Sequence, residues 1–350
     1  APRSAGPRSP APSNGTPSNA APLNGAPRKL AYYLWRFPVL SETFIRRELG
    51  ALAEAGVEVA ILADGAGVGV ADDPELAPLA CRTRYVLPVT PAMVVRNLAA
   101  ALVRAPLRTA NLFAYTLCRP YNVPKSLRQD VYVFLKAVRV AALLRDLGVR
   151  HLHAPWGDTN AFIAMMAARL AGADFSLQFR AQDLHRRTLA FQVREKIHQA
   201  RFVVTNTRYN LETLRALALP EDHVKIRQIY NGLELGRFQA AGCAREPHAG
   251  PVRILSVARL IEPKGLPYLF EACRILLDRG RAVRCAVVGG PELPMYVNDL
   301  IAIRRSRRRL DLDDIVELRG AQPFARVAAA YAAADIFVLP CVVGADGSTD

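Results

Sequence analysis

Arg259 and Lys264 stand five positions apart in Ser256-Val257-Ala258-Arg259-Leu260-Ile261-Glu262-Pro263-Lys264-Gly265. The apolar run before Arg259 reads as a strand, and Leu266, Leu269, Phe270 and Cys273 recur at helical spacing after Gly265. Two fixed positive charges therefore sit between a strand C-terminus and a helix N-terminus. Arginine grips paired phosphate oxygens, lysine adds a point charge, and the helix end offers backbone N–H groups. This suits the holding of an anion. On spacing alone, a plain pair of solvated cations on a strand–helix loop is the commoner meaning.

The surrounding elements alternate. Val252–Val257, Val283–Val288, Ile315–Leu318 and Ile336–Leu339 read as strands, with helices before Gly280 and over Phe324–Ala334. An earlier set opens with the apolar run at 30–34, then a loop at 36–40. Ser41 is a good N-cap with Glu42 in the first turn, and the helix stops at Gly56 before a strand through Val57, Val59 and Ile61. Strand, helix, strand within so short a stretch is the unit of a parallel sheet. Further strands are expected at 151–153, 176–179 and 202–205. The organisation expected is a Pro/Ser/Asn/Ala-rich disordered tail over 1–29, a first doubly wound α/β domain over 30–235, a linker over 236–251 and a second, incomplete one over 252–350, facing each other across a cleft.

The formal net charge is +15 over 350 residues, which calls for an anionic partner. Residues 91–150 read as helical and carry ten basic residues against Asp130 and Asp146. Met93, Val94, Leu98, Leu102, Leu107, Leu112 and Phe113 offer an apolar face, so the stretch can lie on an anionic membrane or pack on the sheet with a solvated basic side. Arg304, Arg305, Arg307, Arg308 and Arg309 would suit nucleic-acid phosphates, but no recognition-helix or aromatic-interleaved pattern accompanies them. No apolar run is long enough for a transmembrane helix, and the N-terminus lacks the apolar core of a signal peptide. The six cysteines form no C-x-x-C pair and read as buried thiols in a reducing compartment.

The stretch SVARLIEPKGLPYLFEAC resembles the C-terminal-domain motif of family 4 glycosyltransferases. FPVLSETFI at 37–45, HLHAPWGDTNA at 151–161, RFVVTNTRYNLETL at 201–214, IYNGLELGRF at 229–238 and the stretch 317–341 resemble further segments of bacterial exopolysaccharide and colanic-acid-type members, in the same order. The resemblance implies the GT-B fold, two Rossmann-like domains facing a cleft, and retention of anomeric configuration. It implies transfer of a sugar from a UDP- or GDP-sugar to a lipid-linked or glycan acceptor in cell-surface polysaccharide biosynthesis, exopolysaccharide or lipopolysaccharide. The setting it implies is cytoplasmic, peripheral on the inner face of the plasma membrane, with no metal, no other cofactor and no nucleic-acid partner.

The roles it implies follow residue by residue. Arg259 and Lys264 match the positions that bind the donor diphosphate and stabilise its departure. Gly320, Gln322 and Phe324 lie where the nucleoside rests, although they suit a plain connection as well. Ser41, Glu42 and Thr43 match a loop facing the cleft. His153 lies on the H-x-H strand, where a hydrogen-bonded structural role is the more common. The family's T-A-H-A-x-D pattern is here Gln178-Phe179-Arg180-Ala181-Gln182-Asp183. Arg180 replaces the histidine that faces the reacting sugar: it holds an anion but accepts no proton. Either a substrate carries extra negative charge or activity is impaired, and Asp183 orients a loop or meets the acceptor. Asp350 stands about where the first acid of the family's E-x7-E motif belongs, and the second acid is not in the chain. A C-terminal truncation is therefore expected, in line with the missing initiator Met. The competing expectation is a catalytically inactive relative or a basic nucleic-acid-binding protein.

Overall fold

The computed structural model describes residues 29–39, 42–67, 77–118, 126–185, 192–233, 236–239, 249–290 and 297–345. Residues 1–28 of the expected 1–29 tail, Ser41, Asp350, Cys243 and most of the expected linker lie outside them, and Lys29 is a correction to that tail, because it pairs with Glu58 as the first residue of a strand. In the first half, in chain order, come β1 (Lys29–Arg36), α1 (Thr43–Glu54), β2 (Glu58–Gly65), α2 (Ala77–Arg82), β3 (Thr83–Tyr85), α3 (Pro91–Arg104), α4 (Pro106–Cys118) and α5 (Leu127–Asp146). Then follow β4 (His151–Ala154), α6 (Thr159–Ala171), β5 (Asp174–Phe179), α7 (Gln182–His185), α8 (Val193–Gln199), β6 (Phe202–Thr205), α9 (Arg208–Leu217) and β7 (Ile226–Gln228). The seven strands form one parallel sheet in the order β3-β2-β1-β4-β5-β6-β7.

After a short helix, α10 (Gly236–Gln239), come β8 (Val252–Val257), α11 (Leu266–Asp278), β9 (Val283–Val288), α12 (Val297–Arg309), β10 (Val316–Leu318), α13 (Phe324–Ala333) and β11 (Ile336–Phe337). These four strands form a second parallel sheet, β10-β9-β8-β11. Both orders reverse once, between β1 and β4 and between β8 and β11. Such a reversal parts the loops at the strands' carboxyl ends and leaves a crevice there.

Burial follows the alternation. In β1, Tyr33 faces the core shared with α5 and α6, while Tyr32 and Leu34 face α1. α6 is apolar all round and is buried at nearly every position, as a helix between a sheet and other helices must be. Helix α1 begins at Thr43 with Glu42 at the N-cap and no side-chain cap bond, a correction to the expected cap at Ser41 with Glu42 in the first turn. The Glu42 carboxylate is used elsewhere, as shown below. Cys273 and Cys285 are buried as expected, but Cys81, Cys118 and Cys341 are exposed, because they lie on outward helix faces and a loop.

Lys136 of α5 crosses to β2 and meets Asp64 at 2.5 Å, with both side chains buried. The other Asp64 oxygen accepts from the Tyr33 hydroxyl at 2.7 Å. Removing one member of such a pair strands a charge in the core. Lys136→Ala is expected to lower unfolding stability by about 3–5 kcal/mol in urea melts. Lys136→Met combined with Asp64→Asn, which keeps an acceptor for Tyr33, is expected to lose less than Lys136→Ala alone.

Candidate active site

The carboxyl edge of the second sheet is drawn tight by backbone bonds. After β8, Ala258 N–H donates to Val288 at 3.0 Å, and Gly289 N–H donates to Gly320 at 2.8 Å. Val342 N–H donates to Pro263 at 2.9 Å, tying the loop after β11 to the loop after β8. Two glycines permit this approach. Gly265 has φ +63°, and a Cβ on it would lie 1.8 Å from the Pro340 carbonyl oxygen. Gly289 has φ +143°, and its Cβ would lie 1.8 Å from the Ala258 oxygen. Both are left-handed or extended conformations that only glycine adopts without strain.

Arg259 and Lys264 stand on this loop, both half-buried. Lys264 closes a single 3-10 turn over Glu262–Lys264, and Gly265 then starts α11 with no side-chain cap. The Leu266 N–H and the positive end of the α11 dipole thus accompany the two cations; Pro267 has no N–H, and the Tyr268 N–H donates to Gly265 O at 3.0 Å. Gly320 (φ +69°) turns the chain after β10, and Gln322 donates to Arg319 O at 2.7 Å. The Phe324 ring packs edge-on against Phe238 at 5.0 Å.

The first sheet's edge is organised by Asp183. Its carboxylate accepts from the backbone N–H groups of Gly157 (2.7 Å), Ala181 (2.8 Å) and Arg180 (3.0 Å). It is 1% exposed, so it orients loops and is turned away from the open space. Lys196, fully buried, donates to the Gly157 and Asp158 carbonyls, and burial pulls its pKa down to about 8. A Cβ on Gly157 would lie 2.1 Å from the buried Phe179 ring, so the loop sits directly on that side chain.

Arg180 lies flat on Phe44, its guanidinium carbon 3.6 Å from the ring centre. It donates to Asn231 Oδ1 at 2.6 Å, to Pro155 O at 3.4 Å and to Gln178, and approaches Glu48 at 3.8 Å. An incoming anion must compete with these acceptors. Glu48 also accepts from the Tyr32 hydroxyl at 2.7 Å and from Gln178 at 3.0 Å. The Glu42 carboxylate accepts from Trp156 Nε1 at 2.9 Å, joining the loops on either side of the β1/β4 reversal.

Tyr32, Thr43, Glu48, His153, Gln178, Arg180, the connector Tyr230–Leu233 and Phe324 wall a cavity of about 930 Å³. The structure therefore brings Thr43, His153, Arg180 and Phe324 to one space. Arg259 and Lys264 lie on the other sheet's edge and are not part of its wall. Tyr32, Glu48, Gln178 and Asn231 are among the wall residues that sequence reasoning missed. Gln178 shares the Arg180 face by strand period, and Glu48 follows Phe44 by one helical turn, so the spacing held both signals. Among the described residues, no three His, Cys, Asp or Glu side chains come together as a metal-binding group.

Residues 251–348 match the family model described as Glycosyl transferases group 1. The chain carries a glycosyltransferase group 1 domain and is a transferase enzyme. It is 28% identical to a putative colanic acid biosynthesis glycosyltransferase, WcaL, of Escherichia coli K12, over 92% of this chain and 77% of that protein. It is also 28% identical to the amylovoran biosynthesis glycosyltransferase AmsK of Erwinia amylovora, with the same coverage. Among solved structures, a glycosyltransferase from Rickettsia africae superposes with a TM-score of 0.55 at 15% identity, covering 90% of this chain and 73% of that one. The lipopolysaccharide outer core galactosyltransferase WaaB gives 0.54 at 12%, covering 89% and 74%. Anabaena Alr3699/HepE in complex with UDP-glucose gives 0.53 at 12%, also covering 89% and 74%. The fold of this glycosyltransferase is GT-B, as expected from the sequence.

Two outcomes check this geometry. Burial, then His151 and Arg180, hold the His153 pKa down to about 3, against 6.5 ordinarily. His153 instead shares the Ser176 hydroxyl, at 2.7 Å, with His151 at 2.8 Å. The unfolded chain binds this proton first as pH falls, so the stability it confers is complete above about pH 6.5 and drains away toward about pH 3. His153→Gln is expected to flatten the stability-against-pH curve in that window by up to about 1.4 kcal/mol per pH unit, read from urea midpoints. Gly265→Ala is expected to cost more than the roughly 1 kcal/mol range of an ordinary glycine replacement, seen as a lowered thermal midpoint, because its Cβ meets backbone.

Proposed function

We propose that this glycosyltransferase is a retaining, family 4-type enzyme. It moves a sugar from a UDP- or GDP-sugar to a lipid-linked or polysaccharide acceptor in exopolysaccharide assembly, without a metal ion, in the cytoplasm at the inner face of the plasma membrane. The observation that carries the proposal is the placement of Arg259 and Lys264 on one glycine-hinged loop, at the strand reversal of the second sheet and beside the uncapped start of α11. The activities of the relatives, colanic acid and amylovoran biosynthesis, support this product class. The UDP-glucose of the Anabaena structure supports a nucleotide-sugar donor.

The chemistry then divides between the two sheets. As the bond from the sugar's anomeric carbon to the diphosphate oxygen breaks, its electron pair passes to the diphosphate. Arg259, Lys264, the Leu266 N–H and the α11 dipole stabilise that charge in place of a divalent cation. The acceptor hydroxyl attacks from the face the diphosphate is leaving, which retains configuration, and its proton passes to the departing phosphate oxygen. Arg180 takes no proton. With Glu48, Gln178 and His153 it shapes the cavity that receives the acceptor, and Phe324 closes that cavity from the donor side.

Donor hydrolysis and transfer to extracted lipid-linked glycans test this. Arg259→Ala and Lys264→Ala are each expected to lower kcat by about 10²–10³-fold with the thermal midpoint unchanged, and turnover is expected to persist with a chelator present. Undiminished turnover in both variants removes the proposed role of the pair.

A further inference from the structure

The α3–α4 hairpin packs by one side only. Asn97 and Ala101 of α3 and Thr109, Leu112 and Thr116 of α4 are buried against α5 and α6. On the other side the corner between the helices is apolar and open: Val103 is 84% exposed and Leu107 79%. Val95 (68%) and Leu102 (44%) continue the same face along α3 at helical spacing. Water gains nothing from such side chains, and a folded monomer commonly shows them singly, not as a contiguous face.

The charge around this corner is of one sign. Residues 91–118 contain Arg96, Arg104 and Arg108 and no acid. Burial first, and then the nearby Arg104 and Arg108, disfavour the charge of Arg145 of α5, and burial and then Arg96 do the same to Arg139. Asp146 is the acid that opposes them there. Arginines that repel one another around an apolar projection match a surface of negative charge laid over hydrocarbon. Among the described residues no helix is long and apolar enough to cross a membrane, so such a surface would be met from one side.

We propose that the α3–α4 corner docks on an anionic lipid bilayer, with Val103 and Leu107 entering the headgroup boundary and Arg96, Arg104 and Arg108 meeting lipid phosphates. This rests on the proposed membrane setting of the enzyme and not on the assignment of the donor. The partner is the bilayer itself: Val103 and Leu107 supply apolar burial, and the arginines supply salt-sensitive attraction.

Co-sedimentation with sucrose-loaded vesicles, one third phosphatidylglycerol in phosphatidylcholine, tests it. The protein is expected to bind these vesicles, to release in high salt, and to bind pure phosphatidylcholine at least about tenfold more weakly. Val103→Asp with Leu107→Asp is expected to weaken binding at least about tenfold, and Arg104→Gln with Arg108→Gln about tenfold at low salt. All four positions are exposed, and Arg108 also donates to the Arg169 carbonyl at 3.2 Å, so the circular dichroism should not change in either variant and the thermal midpoint should not change in the Asp variant. Absence of vesicle binding by the unaltered protein, or equal binding by the Asp variant, overturns the proposal. So does a dimer in light scattering that the Asp substitutions dissolve, because the corner would then be a protein interface. Donor hydrolysis in solution, measured on the same samples, is expected to be unaffected by the Asp substitutions. Loss of vesicle binding with hydrolysis intact separates this proposal from that of donor and reaction.

Discussion

A parallel sheet whose strand order reverses once must send its helices to opposite faces on either side of the reversal, and the loops leaving those two strands then part. This constraint acts twice in the molecule. In the first sheet it separates the loops after β1 and β4, which are rejoined through Trp156 and Glu42. In the second it separates the loops after β8 and β11, which are rejoined by the close backbone approach at Gly265. The residues with useful chemistry stand at or beside these two openings. Neither opening could be as narrow with side chains at Gly265, Gly289 or Gly157.

The first opening is held by buried polar groups, chief among them Asp183, Lys196 and Arg180, whose burial is offset by hydrogen bonds. Asp183 satisfies three backbone N–H groups that would otherwise be stranded at the end of β5 and after β4. Lys196 satisfies the carbonyls on the other side of the same loop. The cost of burying the lysine shows in its lowered pKa. Arg180 is built onto this frame: its backbone is fixed by Asp183 and its side chain by Phe44, Gln178 and Asn231. A guanidinium held on so many sides is a rigid wall with fixed donors, which suits shape recognition more than proton transfer.

Much of the fold was legible because the strong elements are long and periodic. The strands at β8 and β9, the helices α11 and α13 and the first strand–helix–strand unit all lie within a few residues of where hydrophobic spacing puts them. β3 and β7 were not legible: each is three residues long and gains its place by pairing with a sheet already formed, which no local pattern announces. The cap of α1 was misplaced because Ser41-Glu42 satisfies the local rule, while the Glu42 carboxylate is drawn to a tryptophan far along the chain. In the site, Arg259 and Lys264 were visible as charges on a loop. Local spacing aligned Gln178 with Arg180 and Glu48 with Phe44, but the meeting of these with Tyr32 and Asn231 in one ring was not visible, because the four come from separate segments and meet only through tertiary packing.

Arg108 donates to the Arg169 carbonyl at 3.2 Å, close to Gly172, where α6 ends just before β5 begins. The hairpin corner therefore lies at the amino edge of the first sheet, and the cavity around Arg180 opens toward the carboxyl edge. α3 spans that thickness with 14 residues, roughly 20 Å of helix. A glycan anchored in the leaflet beneath the corner would have to climb the flank of the sheet before its terminal hydroxyl entered the cavity. Docking at one edge and a cavity at the other would set the height of the sheet as the distance between leaflet and reaction.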